Sequence, residues 1–242
     1  MNTPEFRVGV IRAVVVYKEA WAIMKDQFWL IFAITMVGLL IGSIVPLIIV
    51  GPMLCGIYMC LLDKIDGRPV VFDRLFKGFN YFLPGFIVAL VFMAPVIVFV
   101  VVIYIPMIGM AIAGPKMTED ALWPFIIGTL ALELIFAVLM TLVHSLIIFA
   151  FPLIVDRGLN GWEAVKLSAR AVWANRGGVA GLFGVGILVA IVGYAALCVG
   201  IYLALPVLMM AMAVAYRKVF PSSEQVRFEP RRRVPIRDYK KW

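Results

Sequence analysis

Charged residues are scarce in this sequence: they make up 15% of its 242 residues, whereas 64% are hydrophobic. A soluble domain of this size usually has about a quarter charged residues and about half apolar ones. The mean hydropathy is correspondingly high, at +1.04. This shortage of charge excludes an ordinary water-soluble globular protein.

Catalytic and metal-binding motifs are also lacking. The sequence has one histidine and three cysteines, and it contains no paired carboxylates, Gly-rich phosphate loop, HExxH or CxxC motif. Cys55, Cys60 and Cys198 lie in apolar blocks, where a cysteine usually acts as a small packing residue. We therefore expect neither an enzyme nor a disulfide-stabilised domain.

Long apolar runs fill most of the chain. Four blocks exceed the roughly 18 residues that a membrane-spanning helix needs: 28–62, 82–105, 122–150 and 179–219. A single helix over 28–62 would be about 52 Å long, far more than the ~30 Å hydrocarbon core, and Gly42, Ser43 and Pro46 predict a hairpin in its middle. A second break is expected near 193–200. The sequence thus predicts an all-α, polytopic membrane helical bundle of six spans, at 28–44, 46–62, 82–105, 122–150, 179–197 and 199–219.

Basic residues are unevenly distributed between the segments that join these spans. Every Lys and Arg except Lys116 falls in residues 1–27, 63–81, 156–178 or 217–242. With six spans, these four segments share one side of the membrane, and the positive-inside rule identifies that side as the cytoplasm. We therefore expect both termini to be cytoplasmic.

Three joining segments predict amphipathic helices on the cytoplasmic surface: 4–27, 69–80 and 160–177. Thr3 and Pro4 are expected to start the first. The second repeats apolar residues with the spacing of one α-helical face, at Phe72, Leu75, Phe76 and Phe79. Each surface helix precedes a pair of spans, so residues 1–220 contain three rounds of one unit.

The third surface helix has the clearest sequence signals. Asn160 is expected to cap it, with Glu163 at the third helical position, and Gly177 and Gly178 are expected to end it. Its apolar side is predicted to carry Trp162, Val165, Ala169, Val172 and Trp173, opposite a charged side with Glu163, Lys166 and Arg170. Tryptophans beside cations suit the headgroup level, which predicts three interfacial anchors: Trp21, Trp162 and Trp173.

Residues 221–242 form a basic tail that cannot bury enough apolar surface to fold alone. Its cations are expected to bind anionic lipid headgroups or an acidic protein partner: Arg231, Arg232, Arg233, Arg237, Lys240 and Lys241. No nucleic-acid partner is expected. A solvated loop whose charges neutralise each other is expected between the second and third spans, where aspartates alternate with cations: Asp63, Asp66, Asp73, Lys64, Arg68 and Arg74.

Polar groups well inside the predicted spans are concentrated on one helix. His144 follows Glu133 by 11 residues, which places both on nearly one face about 16 Å apart, with Thr129 and Thr141 close to them. Three interpretations are open. The residues pack within the bundle, they form a proton or cation relay, or His144 is an axial ligand of a pigment or haem.

Two stretches resemble a known group of proteins: LLDKIDGRPVVFDRLFKGFNYFLPGF (61–86) and FPLIVDRGLNGWEAVKLSARAVWAN (151–175). They resemble uncharacterised six-helix bacterial integral-membrane proteins, which are similar in pattern to the membrane domain fused to some glycerophosphodiester phosphodiesterases. The resemblance covers the layout of residues 5–220. It implies the bacterial cytoplasmic (inner) membrane and a compact bundle, and it brings no catalytic residues.

Two functions follow as expectations. The first is a non-enzymatic accessory or scaffold subunit of a larger membrane complex, and an energy-transducing complex would suit such a role. Membrane remodelling by the surface helices is compatible with it. The second is a small transporter or lipid-handling permease that uses the Glu133/His144 helix.

Overall fold

The computed structural model describes residues 6–114, 117–195 and 199–222. The predicted helix start at Thr3 and Pro4 and the tail cations lie outside these ranges. Within them, all regular structure is helical: α1 Ala13–Met24, α2 Phe28–Ile44, α3 Pro46–Ile65, α4 Phe82–Ala113, α5 Glu119–Leu146, α6 Ala150–Arg157, α7 Gly161–Ala174, α8 Arg176–Ala195 and α9 Val199–Val219, with 3₁₀ segments Lys25–Gln27 and Phe72–Tyr81.

Six helical segments of the described chain are long and apolar enough to cross a membrane, which confirms the predicted all-α, multi-pass class: Ala13–Ile44, Pro46–Ile65, Phe72–Ala113, Glu119–Arg157, Arg176–Ala195 and Gly200–Val219. The first hairpin is present. Its second helix, α3, begins at Pro46, where the missing N–H of proline costs no hydrogen bond.

Burial is unequal among the six segments. Over the most apolar window of Pro46–Ile65, 67% of the residues are buried, whereas the share is 11% for Phe72–Ala113. Because lipid tails are as apolar as leucine, side chains of α4 and α5 can remain exposed to hydrocarbon. The packed core therefore lies around α3, with α6, α7 and the second half of α9.

The first helix is shorter than the prediction of 4–27, since α1 begins at Ala13. Asn175 binds the backbone of the residues that precede α1, and these residues do not continue the helix. The Asn175 side-chain amide donates to the Arg7 carbonyl at 3.0 Å and accepts from the Gly9 amide at 2.8 Å. Gly9 has φ +72°, which favours glycine and breaks a helix.

The predicted cap of the third surface helix is confirmed, because the Asn160 side chain accepts from the Glu163 amide at 2.9 Å. The predicted end at Gly177 and Gly178 is wrong. Helix α7 ends at Ala174, where the Asn175 amide group turns to the N-terminal segment, and both glycines lie inside α8.

The buried face of α7 also differs from the prediction. Val165 and Val172 are buried as expected, but Trp162 and Trp173 are 56% and 66% exposed. The two tryptophans lie instead on the exposed side of α7, with Lys166 and Arg170. The interior side consists mostly of small residues that allow close packing: Gly161, Ala164, Ser168 and Ala171.

The second surface segment is a 3₁₀ helix rather than the predicted α-helix. A 3₁₀ helix repeats every three residues, so side chains three apart share one face. Leu75 and Gly78 are buried, whereas Phe76 and Phe79 are 43% and 42% exposed. The predicted apolar face of four residues is therefore divided between two sides.

Close backbone contact sets this arrangement. A Cβ added at Gly56 of α3 would collide with the backbone carbonyl of Leu75, and one added at Gly78 would collide with the Pro52 carbonyl. Only glycine at both positions lets the 3₁₀ segment lie directly against α3.

The fourth predicted span, 122–150, ends earlier than expected, because α5 stops at Leu146 and α6 begins only at Ala150. Ser168 of α7 binds the backbone at this break. Its hydroxyl donates to the Leu146 carbonyl at 2.7 Å and accepts from the Phe149 amide at 3.1 Å. These are backbone groups that the helix break leaves without helical partners.

We predict that Gly56→Ala lowers the stability of the protein by about 1–3 kcal/mol, because the new methyl group meets backbone that cannot rotate away. Thermal unfolding midpoints in mild detergent measure the effect. Gly128→Ala in α5 is the matched control, since nothing lies within 4 Å of the added methyl group there. Equal midpoints for the two variants would contradict the close contact.

Candidate functional site

The ends of three helices meet at one buried arginine. Arg217, near the end of α9, has a side chain that is 5% exposed. Its Nε and Nη2 donate to the two carboxylate oxygens of Asp66, after α3, at 2.9 and 2.6 Å. Its Nη1 pairs with Asp156 of α6 at 2.7 Å, and the Tyr216 hydroxyl donates to the same carboxylate at 2.6 Å. We call these four residues the Arg217 junction.

Burial makes the charges of the junction depend on one another. The side chains of Asp66 and Asp156 are 8% and 14% exposed, so neither carboxylate is well solvated. Removing one partner of a buried ion pair typically costs about 3–5 kcal/mol. The planar guanidinium group offers five donors in fixed directions and can serve two carboxylates at once. The junction therefore fixes the ends of α3, α6 and α9 relative to one another.

A third buried carboxylate lies next to the junction in sequence. Asp63 is 3% exposed and pairs with Arg68 at 2.7 Å and with Arg74 of the 3₁₀ segment. The expectation of a solvated loop is therefore wrong for Asp63 and Asp66, although their charges are neutralised as expected. Asp73 is exposed.

Two further ion pairs, both in contact with water, connect the N-terminal helices to the residues around the Arg217 junction. Lys64 pairs with Asp26 at 2.6 Å, and Lys218 pairs with Glu19 at 2.7 Å. Asp26 and Glu19 are 60% and 42% exposed, and pairs in contact with water contribute little stability. They show that residues around α1 belong to the same charged region.

The polar residues predicted on α5 do not form a continuous hydrogen-bonded chain. The hydroxyls of Thr129 and Thr141 each donate at 2.8 Å to a carbonyl of their own helix, those of Ile126 and Ala137. Glu133 is half-buried, and among the described residues no side chain pairs with it.

His144 instead joins α5 to α4. Its Nε2 lies 2.9 Å from the Phe92 carbonyl oxygen, and its Nδ1 lies 2.8 Å from the Met140 carbonyl oxygen. Pro95 lies inside α4 in the same turn, and it has no N–H to bond the Val91 carbonyl four residues earlier. A haem or pigment bound at either ring nitrogen would displace one of these contacts. The geometry therefore favours the packing interpretation of His144.

A cavity of about 410 Å³ adjoins His144 and is lined by residues of α3, α4, α5, α6, α8 and α9. Volumes in this range are typical of small-molecule sites. We call it the His144 cavity, and its walls include Tyr58, Phe92, Met140, His144, Phe183 and Met212. Glu133 does not line it.

The predicted interfacial anchors are exposed. Trp21 is 50% exposed, and Trp162 and Trp173 of α7 are more so. The Arg176 guanidinium lies 6.0 Å from the centre of the Trp173 ring, within the range of a cation–π contact. This combination of aromatic side chain and cation suits the headgroup level.

Metal-binding groups are not assembled in the part of the chain that the structure describes. There, no set of three His, Cys, Asp or Glu side chains is arranged to hold a metal ion. Cys55 and Cys60 are buried and not bridged. Cys198 lies outside the described residues.

Comparison with protein-family models, curated proteins and solved structures gives no match for this chain. The resemblance to six-helix bacterial membrane proteins therefore stays a prediction.

We predict that Arg217→Met lowers the stability by about 3 kcal/mol, the lower end of the cost of breaking a buried ion pair. Asp66 and Asp156 then keep only their more exposed partners, Arg68 at 3.0 Å and Arg157 at 3.3 Å. The thermal midpoint of the protein in mild detergent, followed by tryptophan fluorescence, measures the loss. Arg170→Met on the exposed side of α7 removes the same charge and should change the midpoint little. If both variants behave alike, Arg217 does not hold the helix ends together.

We predict that His144→Leu destabilises the protein by about 1 kcal/mol, since it removes the hydrogen bond between α5 and α4. His144→Gln keeps an N–H donor and should lose less. The comparison is made by thermal unfolding in detergent. A relay would give another pattern, in which both variants abolish proton flux into vesicles while the midpoint is unchanged.

Proposed function

We propose that this chain is a non-enzymatic accessory or scaffold subunit of a larger complex in the bacterial inner membrane. In this proposal its basic segments face the cytoplasm, and its surface helices and basic tail bind other subunits and anionic lipid headgroups. An energy-transducing complex suits this role.

The observation that carries the proposal is the Arg217 junction. A subunit that acts by docking needs a fixed surface, because each side chain that must be ordered on binding reduces the affinity. The junction orders the ends of α3, α6 and α9 before any partner arrives. Helix α7 exposes Lys166 and Arg170, which lie between its two tryptophans in sequence.

The contacts also support the proposed sidedness. Glu19, Lys64, Asp156 and Arg217 come from the four segments that hold every basic residue except Lys116. The ion pairs of the junction and of α1 connect these segments to one another. Segments that touch lie on one side of the bilayer, and the positive-inside rule then favours the cytoplasm.

Deleting residues 221–242 is predicted to reduce the recovery of partner membrane proteins when the tagged chain is purified in mild detergent. The tail provides several of the chain's cations, and quantitative mass spectrometry measures the recovery. A chain with the same tail residues in scrambled order is the control. If charge alone matters, the scrambled tail retains the partners. Unchanged recovery after deletion would show that the tail is not the docking element.

A second function is favoured by the His144 cavity. A lipid-handling permease needs an apolar space within the spans, and Glu133 would be its intramembrane ionisable group. Glu133→Gln should then stop lipid or proton movement in reconstituted vesicles without lowering the thermal midpoint. Unaltered movement would exclude this role for Glu133.

A further inference from the structure

We propose that the His144 cavity binds one acyl chain of a membrane lipid. This inference does not depend on the accessory role, since a bound acyl chain is compatible with either function above.

The shape of the space suits a chain. A second cavity, of about 310 Å³, shares Met140, His144 and Phe183 with the first and extends toward Phe99 and Thr141. Both lie along the α4–α5 pair, so together they form an elongated space. A long, flexible hydrocarbon chain fills such a space better than a compact ring system does.

The walls are apolar and open toward the bilayer. Leu54, Val96, Met140 and Phe183 are half-buried rather than buried, so the cavity reaches the outer surface of the spans. That surface faces hydrocarbon, which is the solvent at this depth. Unbranched methionine side chains adapt to irregular partners, which suits a chain with many conformers.

One polar group in the walls lacks a partner. Tyr58 is 7% exposed, and among the described residues no hydrogen bond holds its hydroxyl. A hydroxyl in apolar surroundings is stabilised when it finds an acceptor. The two ring nitrogens of His144 face the backbone carbonyls of Met140 and Phe92 rather than this hydroxyl.

A lipid ester carbonyl supplies this acceptor. Tyr58 lies seven residues before the end of α3 at Ile65, about 10 Å along the helix from the charged region. An acyl chain whose ester carbonyl accepts a hydrogen bond from the Tyr58 hydroxyl would extend away from the charged region, into the space between α4 and α5.

The test uses the full chain in vesicles of phosphatidylethanolamine and phosphatidylglycerol that contain a phospholipid with a diazirine on its acyl chain. After illumination, mass spectrometry locates the cross-links. We expect them on Met140, Phe183 and Met212. Met140→Trp fills the cavity and should lower this labelling about tenfold, which corresponds to about 1.4 kcal/mol of binding.

Leu139→Trp is the matched control, because the neighbouring Leu139 is 53% exposed and points away from the cavity walls. It should leave the labelling of the cavity unchanged. If Met140→Trp fails to fold, Met212→Phe fills the cavity from α9. Tyr58→Phe removes the hydroxyl alone and should reduce the labelling severalfold.

Three results would overturn the inference. Labelling of the cavity no denser than that of exposed residues such as Leu134 would show that the cavity is not a site. Labelling that does not fall in the variants that fill the cavity would also show that the cavity is not a site. A diazirine fatty acid that labels the cavity as strongly as the phospholipid would assign the site to free fatty acid instead.

Discussion

The structure depends on one buried guanidinium group that serves two carboxylates from different helices. A charge in poorly solvated surroundings must be paired, so Arg217 can be accommodated only where Asp66 and Asp156 meet. This requirement fixes the ends of three helices that lie far apart in sequence. Apolar packing in lipid has no strong direction, and the exposed ion pairs of Asp26 and Glu19 contribute little, so neither can replace this constraint.

The helical architecture could be predicted from the sequence because hydrocarbon imposes it. Backbone groups in a bilayer must bond within their own segment, so apolar blocks of sufficient length become helices. Local signals located the hairpin at Pro46 and the cap at Asn160 for similar reasons, since each depends on neighbouring residues alone. The end of α7 at Asn175 and the break between α5 and α6 could not be predicted. Asn175 binds the N-terminal segment, and Ser168 of α7 binds the break, so each depends on residues distant in sequence or in another helix.

In the candidate site, too, local features could be predicted from the sequence and long-range contacts could not. Sequence placed Glu133 and His144 on one helix, but the partner of His144 is a backbone carbonyl of α4, which no pattern of side chains reveals. The junction did leave signals: a carboxylate at the end of two apolar runs and an arginine inside AVAYRKVF (213–220). Their spacing gave no indication that they meet. The 3₁₀ segment was missed because its close contact depends on Gly56 and Gly78, far apart in sequence.

Hydrogen exchange of the protein in nanodiscs, followed by mass spectrometry, tests the central claim most directly. The amides of Arg68, Gly158 and Phe220 are bonded to the carbonyls of Asp63, Ile154 and Tyr216, all beside the junction. If the buried charges hold the helix ends together, peptides with these amides exchange as slowly as the interior of α3. Exchange as fast as that of exposed loops would mean that the ends open independently and that Arg217 does not organise them.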